Sequence, residues 1–67
     1  MRKVKVCYEL LLQGEVLTDK ECLMMLKLTE TLAYGARSLG ERFFVFAMEA
    51  ERINRIVDDI CWARGLI

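Results

Sequence analysis

Apolar residues recur at alternating steps of three and four from Phe43 through Phe46, Ala50, Ile53 and Val57 to Ile60. That spacing keeps one face of an α-helix apolar and would scatter over both faces of a strand. A long amphipathic helix over about 39–64 is therefore the element around which the chain must fold. Ser38-Leu39-Gly40-Glu41 offers its start, a serine three residues ahead of a glutamate as in a capping box. Arg64-Gly65 offers its end, a basic residue followed by the glycine that commonly closes a helix.

A second helix is expected over 19–34. Thr18-Asp19-Lys20-Glu21 repeats the capping-box pattern, and its two acids sit where the helix dipole favours negative charge. Behind it Cys22, Met25, Leu28 or Thr29, Leu32, Ala36 and Leu39 follow the helical period, and Gly35 is a plausible stop. Two helices joined near 35–38 make an antiparallel hairpin. Because the stripe stays nearly in phase through Leu39, one continuous helix is the alternative. Leu28, Leu32, Ala50, Ile53, Val57 and Ile60 are assigned to the internal packing, and Glu51, Arg55 and Asp59 to a solvated outer face laced by i,i+4 pairs.

Residues 3–13 read two ways. Val4, Val6, Tyr8, Leu10 and Leu12 alternate with polar residues as in a half-buried strand, whereas Val4, Tyr8, Leu11 and Leu12 form a helical face. A lone strand needs a neighbour and no second strand is in sight, so a short helix is favoured, with a strand paired across a dimer axis as the alternative. The fold class is all-α in the favoured reading.

The core of such a chain is thin. Sixty-seven residues bury only about 60% of the surface the unfolded chain exposes, yet 55% of the residues are hydrophobic. Cys22-Leu23-Met24-Met25-Leu26 and Phe43-Phe44-Val45-Phe46-Ala47-Met48 are apolar all round, where a surface helix should turn a polar back to water. The expectation is a hairpin completed by a homodimer or by a larger protein partner, with Phe43, Phe44, Phe46, Met48, Met24 and Trp62 making the contact. Coverage by the amino-terminal segment of the same chain is the simpler alternative.

Several function classes find little support. There is no histidine, the single serine is read as a cap, and no glycine-rich phosphate loop is present, so neither an enzyme nor a cofactor is expected. The adjacent Asp58 and Asp59 splay apart on a helix, and Glu49 and Glu51 lack the Glu-x-x-His pattern of di-iron bundles, so no metal is expected. Cys7, Cys22 and Cys61 are odd in number with no CxxC spacing, which reads as buried thiols in a reducing, cytoplasmic compartment. Glu9 interrupts the first apolar run and no cleavage site follows, a poor match to a signal peptide. No apolar run is long enough for a transmembrane helix, and the mixed charge of the last helix argues against adsorption to anionic lipid.

Ten basic and ten acidic residues cancel, so net charge points to no nucleic-acid partner. One segment nevertheless resembles a helix-turn-helix: residues 17–39 parse as helix, turn at Lys27 and second helix capped by Thr29, with Thr31, Tyr34 and Arg37 exposed. That outline implies a small dimeric DNA-binding regulator as the alternative function. The leading reading is a protein–protein interaction module that acts as a regulator, inhibitor or subunit by occlusion or scaffolding.

Overall fold

The computed structural model, which describes residues 1–67, has three helices and no strand: α1 (Val4–Leu12), α2 (Asp19–Ser38) and α3 (Phe44–Ala63), with a 3-10 turn at Glu41–Phe43 leading into α3. The first segment thus resolves as a helix, as expected of a segment with no strand to pair with.

Local signals set the start of α2. The Glu21 amide donates to Thr18 Oγ1 at 3.2 Å and the Thr18 amide donates to Glu21 Oε1 at 2.9 Å, closing the capping box. The expected stop at Gly35 is not used: α2 runs on to Ser38, and the chain reverses at Gly40, whose φ of 90° lies in the left-handed region open to glycine. That reversal excludes the single continuous helix. It also corrects the role of Ser38. Its backbone is helical, where an N-cap needs an extended one, and its hydroxyl bonds back to the carbonyls of Tyr34 and Gly35 at the end of α2.

At the far end of α3 the expected glycine terminator is present. The Leu66 amide donates to the Cys61 carbonyl at 2.8 Å and the Gly65 amide to the Trp62 carbonyl at 3.0 Å, with Gly65 at φ 72°. This is the Schellman arrangement, and Leu66 folds back onto the core as that arrangement favours.

α2 and α3 lie antiparallel as a hairpin and supply most of the tertiary packing. Away from the turn they enclose Cys22, Met25, Ile53, Val57 and Cys61, closed over by Cys7 of α1 and Leu17 of the connecting loop. Towards the turn the seam narrows to Thr29, Ala33 and Ala36 on α2 against Ala47 and Ala50 on α3. The buried faces are thus shifted from the expected stripes: Ala47 and Cys61 take the places given to Phe46 and Ile60, and Thr29 and Ala33 those given to Leu28 and Leu32. Small side chains let the two backbones approach, and the bulky neighbours are displaced to the flanks.

One polar link fixes the register. Asn54 Nδ2 donates to Thr29 Oγ1 at 3.0 Å and to the Leu26 carbonyl at 3.1 Å, while the Thr29 hydroxyl donates to the Met25 carbonyl at 2.7 Å. The expected ladder along the outer face of α3 is replaced by other pairs: Glu51 pairs with Arg37 across the hairpin, and Arg52 with Glu49 at i,i+3.

Candidate interaction surface

α1 has nine residues and α2 twenty. At 1.5 Å per residue these are about 14 Å and about 30 Å long. The shorter helix cannot cover the hairpin and stops short of its turn. What it leaves open is an apolar trough of about 610 Å³ whose walls are Leu28 and Leu32 of α2, Phe46 of α3, and Val4, Lys5 and Tyr8 of α1 at one end. A second hollow of about 420 Å³, lined by Leu32, Gly35, Leu39, Phe43 and Phe46, continues it to the turn. Leu32 and Phe46 belong to both, so the two form one trough. Its flanking side chains stay largely wet: Leu32 is 37% exposed, Phe43 42%, Phe46 53% and Leu39 64%.

The few polar groups at the trough are mostly engaged with one another. The Tyr8 hydroxyl donates to Glu49 Oε1 at 2.7 Å, and Arg52 Nη2 donates to the same oxygen at 2.8 Å. Arg52 and then Tyr8 hold the Glu49 carboxyl below its ordinary range, and the Glu49 carboxylate raises the Tyr8 phenol. Lys5 is the exception, since no acidic side chain of the chain pairs with it.

α1 is clamped in place through its leading residues. Arg2 donates to Glu21 from Nε and Nη2, both at 2.8 Å, and from its backbone amide at 3.0 Å; the Cys7 thiol lies 3.6 Å from the same carboxylate. Glu21 is fully buried, and the donors of Arg2 and Thr18 hold its carboxyl well below the usual range. At the same end of the hairpin Arg64 Nη1 donates to the Leu17 carbonyl at 2.7 Å and to Asp19 Oδ1 at 3.1 Å.

The three thiols are free and buried in one cluster, with Cys22 and Cys61 on facing helices. Burial pushes all three thiols up, away from the reactive thiolate form. No group of three or more metal-binding side chains is assembled, and no helix is long and apolar enough to cross a membrane.

The residues picked from sequence are spread around the molecule. Phe43 and Phe46 line the trough. Phe44 is exposed beside them, Met48 lies with Val45 and Arg52 on α3, and Met24 lies with Met1 and Leu23 in a separate hollow that meets the trough at Leu28. Trp62 is exposed at the opposite end. Sequence reasoning missed Leu28 and Leu32, which it placed inside, and Leu39, Val4, Lys5 and Tyr8. For the leucines of α2 the signal is side-chain size: Ala33, Ala36, Ala47 and Ala50 mark where the two helices can touch, so the large residues beside them flank the seam; Val4, Lys5 and Tyr8 of α1 carry no such signal.

The helix-turn-helix outline is not formed. Residues 19–38 are one uninterrupted helix, with Lys27 in its middle and the Thr29 hydroxyl bonded to Met25 rather than capping anything. Lys27, Thr31 and Tyr34 share a shallow exposed surface with Glu30, and Arg37 is engaged by Glu51. Comparison with protein-family models, with curated proteins and with solved structures finds no match.

Proposed function

We propose that this chain is a protein-interaction module that works as a regulator, inhibitor or subunit by seating an apolar helix face of another polypeptide in the trough between α2 and α3. The observation that carries the reading is the half-covered hairpin: Leu28, Leu32, Phe43 and Phe46 flank a seam of small residues with nothing packed above them. Grooves of this kind between two helices accept an amphipathic helix through anchors at helical spacing. The module acts by occupancy and carries no chemistry of its own. That part of the reading is supported by the buried, raised thiols and by a trough whose Tyr8 and Glu49 are engaged with each other.

The test is the mass of the species isolated gently from its source cells, measured by light scattering for the wild type and for Leu32→Asp and Phe46→Asp. A mass above that of one chain, lost in both variants while far-ultraviolet circular dichroism keeps its helical amplitude, is the expected result. A single-chain mass for the wild type, or an assembly indifferent to both substitutions, overturns the reading.

A further inference from the structure

α1 differs from the two hairpin helices in what holds it. A helix alone in water needs about 12–15 residues to be even marginally stable, and α1 has nine. Neither of its ends helps: Lys3 supplies no side-chain cap, the first turn holds no acidic residue and the last turn no basic one. α1 is therefore helical only while it is docked, so that undocking and melting are one event. Its docking face is small. Cys7 alone is fully buried, with Tyr8, Leu10 and Leu11 partly covered, whereas α3 buries Ala47, Ala50, Ile53, Val57 and Cys61. The polar fasteners are two, Arg2 on Glu21 just ahead of the helix and Tyr8 on Glu49 within it.

The connection to α2 is built as a pivot. Gly14, at φ 76°, closes α1 with nothing packed against it, and Glu15 and Val16 behind it are exposed. At Leu17 the chain is fixed again: the side chain is buried in the core and the carbonyl accepts from Arg64 Nη1. The segment ahead of Gly14 can leave while Leu17 and the capping box of Thr18 and Glu21 stay in place.

We propose that α1 is a lid on the hairpin. Arg2, Cys7 and Tyr8 release together, the segment pivots about Gly14 and recloses, and α2 and α3 stay packed throughout. Closed molecules predominate. Opening takes Val4, Lys5 and Tyr8 from the end of the trough, which then runs on past Met25 and Ile53 towards Val57. A helix of another chain that reaches beyond the uncovered half of the hairpin must compete with α1 for that ground. This consequence rests on the interaction-module reading, whereas the lid itself does not.

Native-state hydrogen exchange of the whole chain, read residue by residue by NMR, tests the lid. The amides of Cys7 to Leu12 should be protected relative to an unfolded peptide, yet exchange at least tenfold faster than those of Ile53 to Val57 once intrinsic rates are divided out. Low urea should change the α1 rates little, because opening exposes a small surface, and should accelerate the α3 rates steeply. Tyr8→Phe deletes one bond to a carboxylate that keeps Arg52, and should speed the α1 amides about fivefold with the α3 amides unchanged. Arg2→Ala should act in the same direction; because it also leaves Glu21 buried without its cation, Tyr8→Phe decides where Arg2→Ala unfolds the chain.

α1 amides that share both the protection and the urea dependence of α3 overturn the lid, since α1 then opens only when everything does. So do α1 amides with no protection at all, which describe a segment that never docks, and a Tyr8→Phe variant in which α1 is no faster or α3 quickens equally. The two readings fail separately. A lid seen by exchange in a chain whose mass from cells is that of one copy overturns the module and keeps the lid, whereas uniform exchange in a chain found in a heavier assembly does the opposite.

Discussion

Replacing Asn54 by leucine tests whether the polar link between α2 and α3 holds in solution. Leucine keeps the branched outline of asparagine in a larger, apolar side chain but donates nothing. Two hydrogen bonds disappear, to Thr29 Oγ1 and to the Leu26 carbonyl. The Leu26 carbonyl is free to keep a helical bond, whereas the Thr29 hydroxyl, buried at 5% exposure, loses the donor that reached it across the hairpin. At about 0.5–1.5 kcal/mol for each bond, the net loss is about 1.5 kcal/mol once the gain from the apolar side chain is set against it. Sixty-seven residues at about 2.1 cal/mol/K each give an unfolding entropy on the order of 0.14 kcal/mol/K, so Tm should fall by about 10 °C. Thermal and urea unfolding followed by circular dichroism read this, at low micromolar concentration so that association adds nothing to the apparent stability. Thr29→Val removes the acceptor at almost constant shape and completes a double-mutant cycle, with an expected coupling of about 1 kcal/mol. Additivity within about 0.3 kcal/mol would refute the link and, with it, the account of how the register is set.

Three further outcomes are expected. The Glu21 carboxyl is held well below its unfolded value, so its contribution to stability is complete above the ordinary carboxylate range near pH 4.3 and shrinks as pH falls below it, where the unfolded chain takes up the proton first; Glu21→Gln should flatten the urea midpoint between pH 5 and pH 2.5, and an unchanged slope would count against the clamp. A thiol-reactive chromogen should leave Cys7, Cys22 and Cys61 unmodified in the folded chain and react with them in step with urea unfolding; rapid labelling of any one in native buffer would contradict its burial. Gly65→Ala should lower stability by about 1 kcal/mol through strain in the left-handed region, and Gly35→Ala should raise it by about as much inside the helix; an added methyl meets nothing within 4 Å at either position, so a change of the same sign at both would undermine the backbone argument.

Those two glycines also show what is legible in a sequence of this kind. Gly65 ends its helix because Arg64 and the amides behind it complete a local motif, and the Thr18 box is equally local, so both are visible in four or five residues. Gly35 and Ser38 mislead because the same short patterns serve a helix interior or end as well as a boundary, and the choice is made by Gly40 and by packing against Ala47. The interface shift has a similar origin. Periodicity places Phe46 and Ile60 on the same stripe as Ala50 and Ile53, but a stripe is about 100° wide, and which edge of it turns inward depends on the facing helix. The Arg2–Glu21 clamp joins residues nineteen apart, and the Asn54–Thr29 link joins residues twenty-five apart. Neither leaves a mark in the local sequence. The trough was half seen, through Phe43 and Phe46, because an excess of apolar residues is visible in composition while the face they occupy is not.

Arg2 bonds to Glu21 and Arg64 to Asp19 in the first turn of α2, which puts the two ends of the chain at the same pole of the hairpin, the pole opposite Gly40. A polypeptide joined to either end emerges there, about the length of a twenty-residue helix from the turn. Tethering to a surface, tandem duplication or fusion to a reporter at the amino or carboxyl end therefore all present the molecule with the same polarity, anchored pole inward and trough outward. Insertion at the Gly40 turn would do the reverse, hanging its cargo over the turn end of the trough.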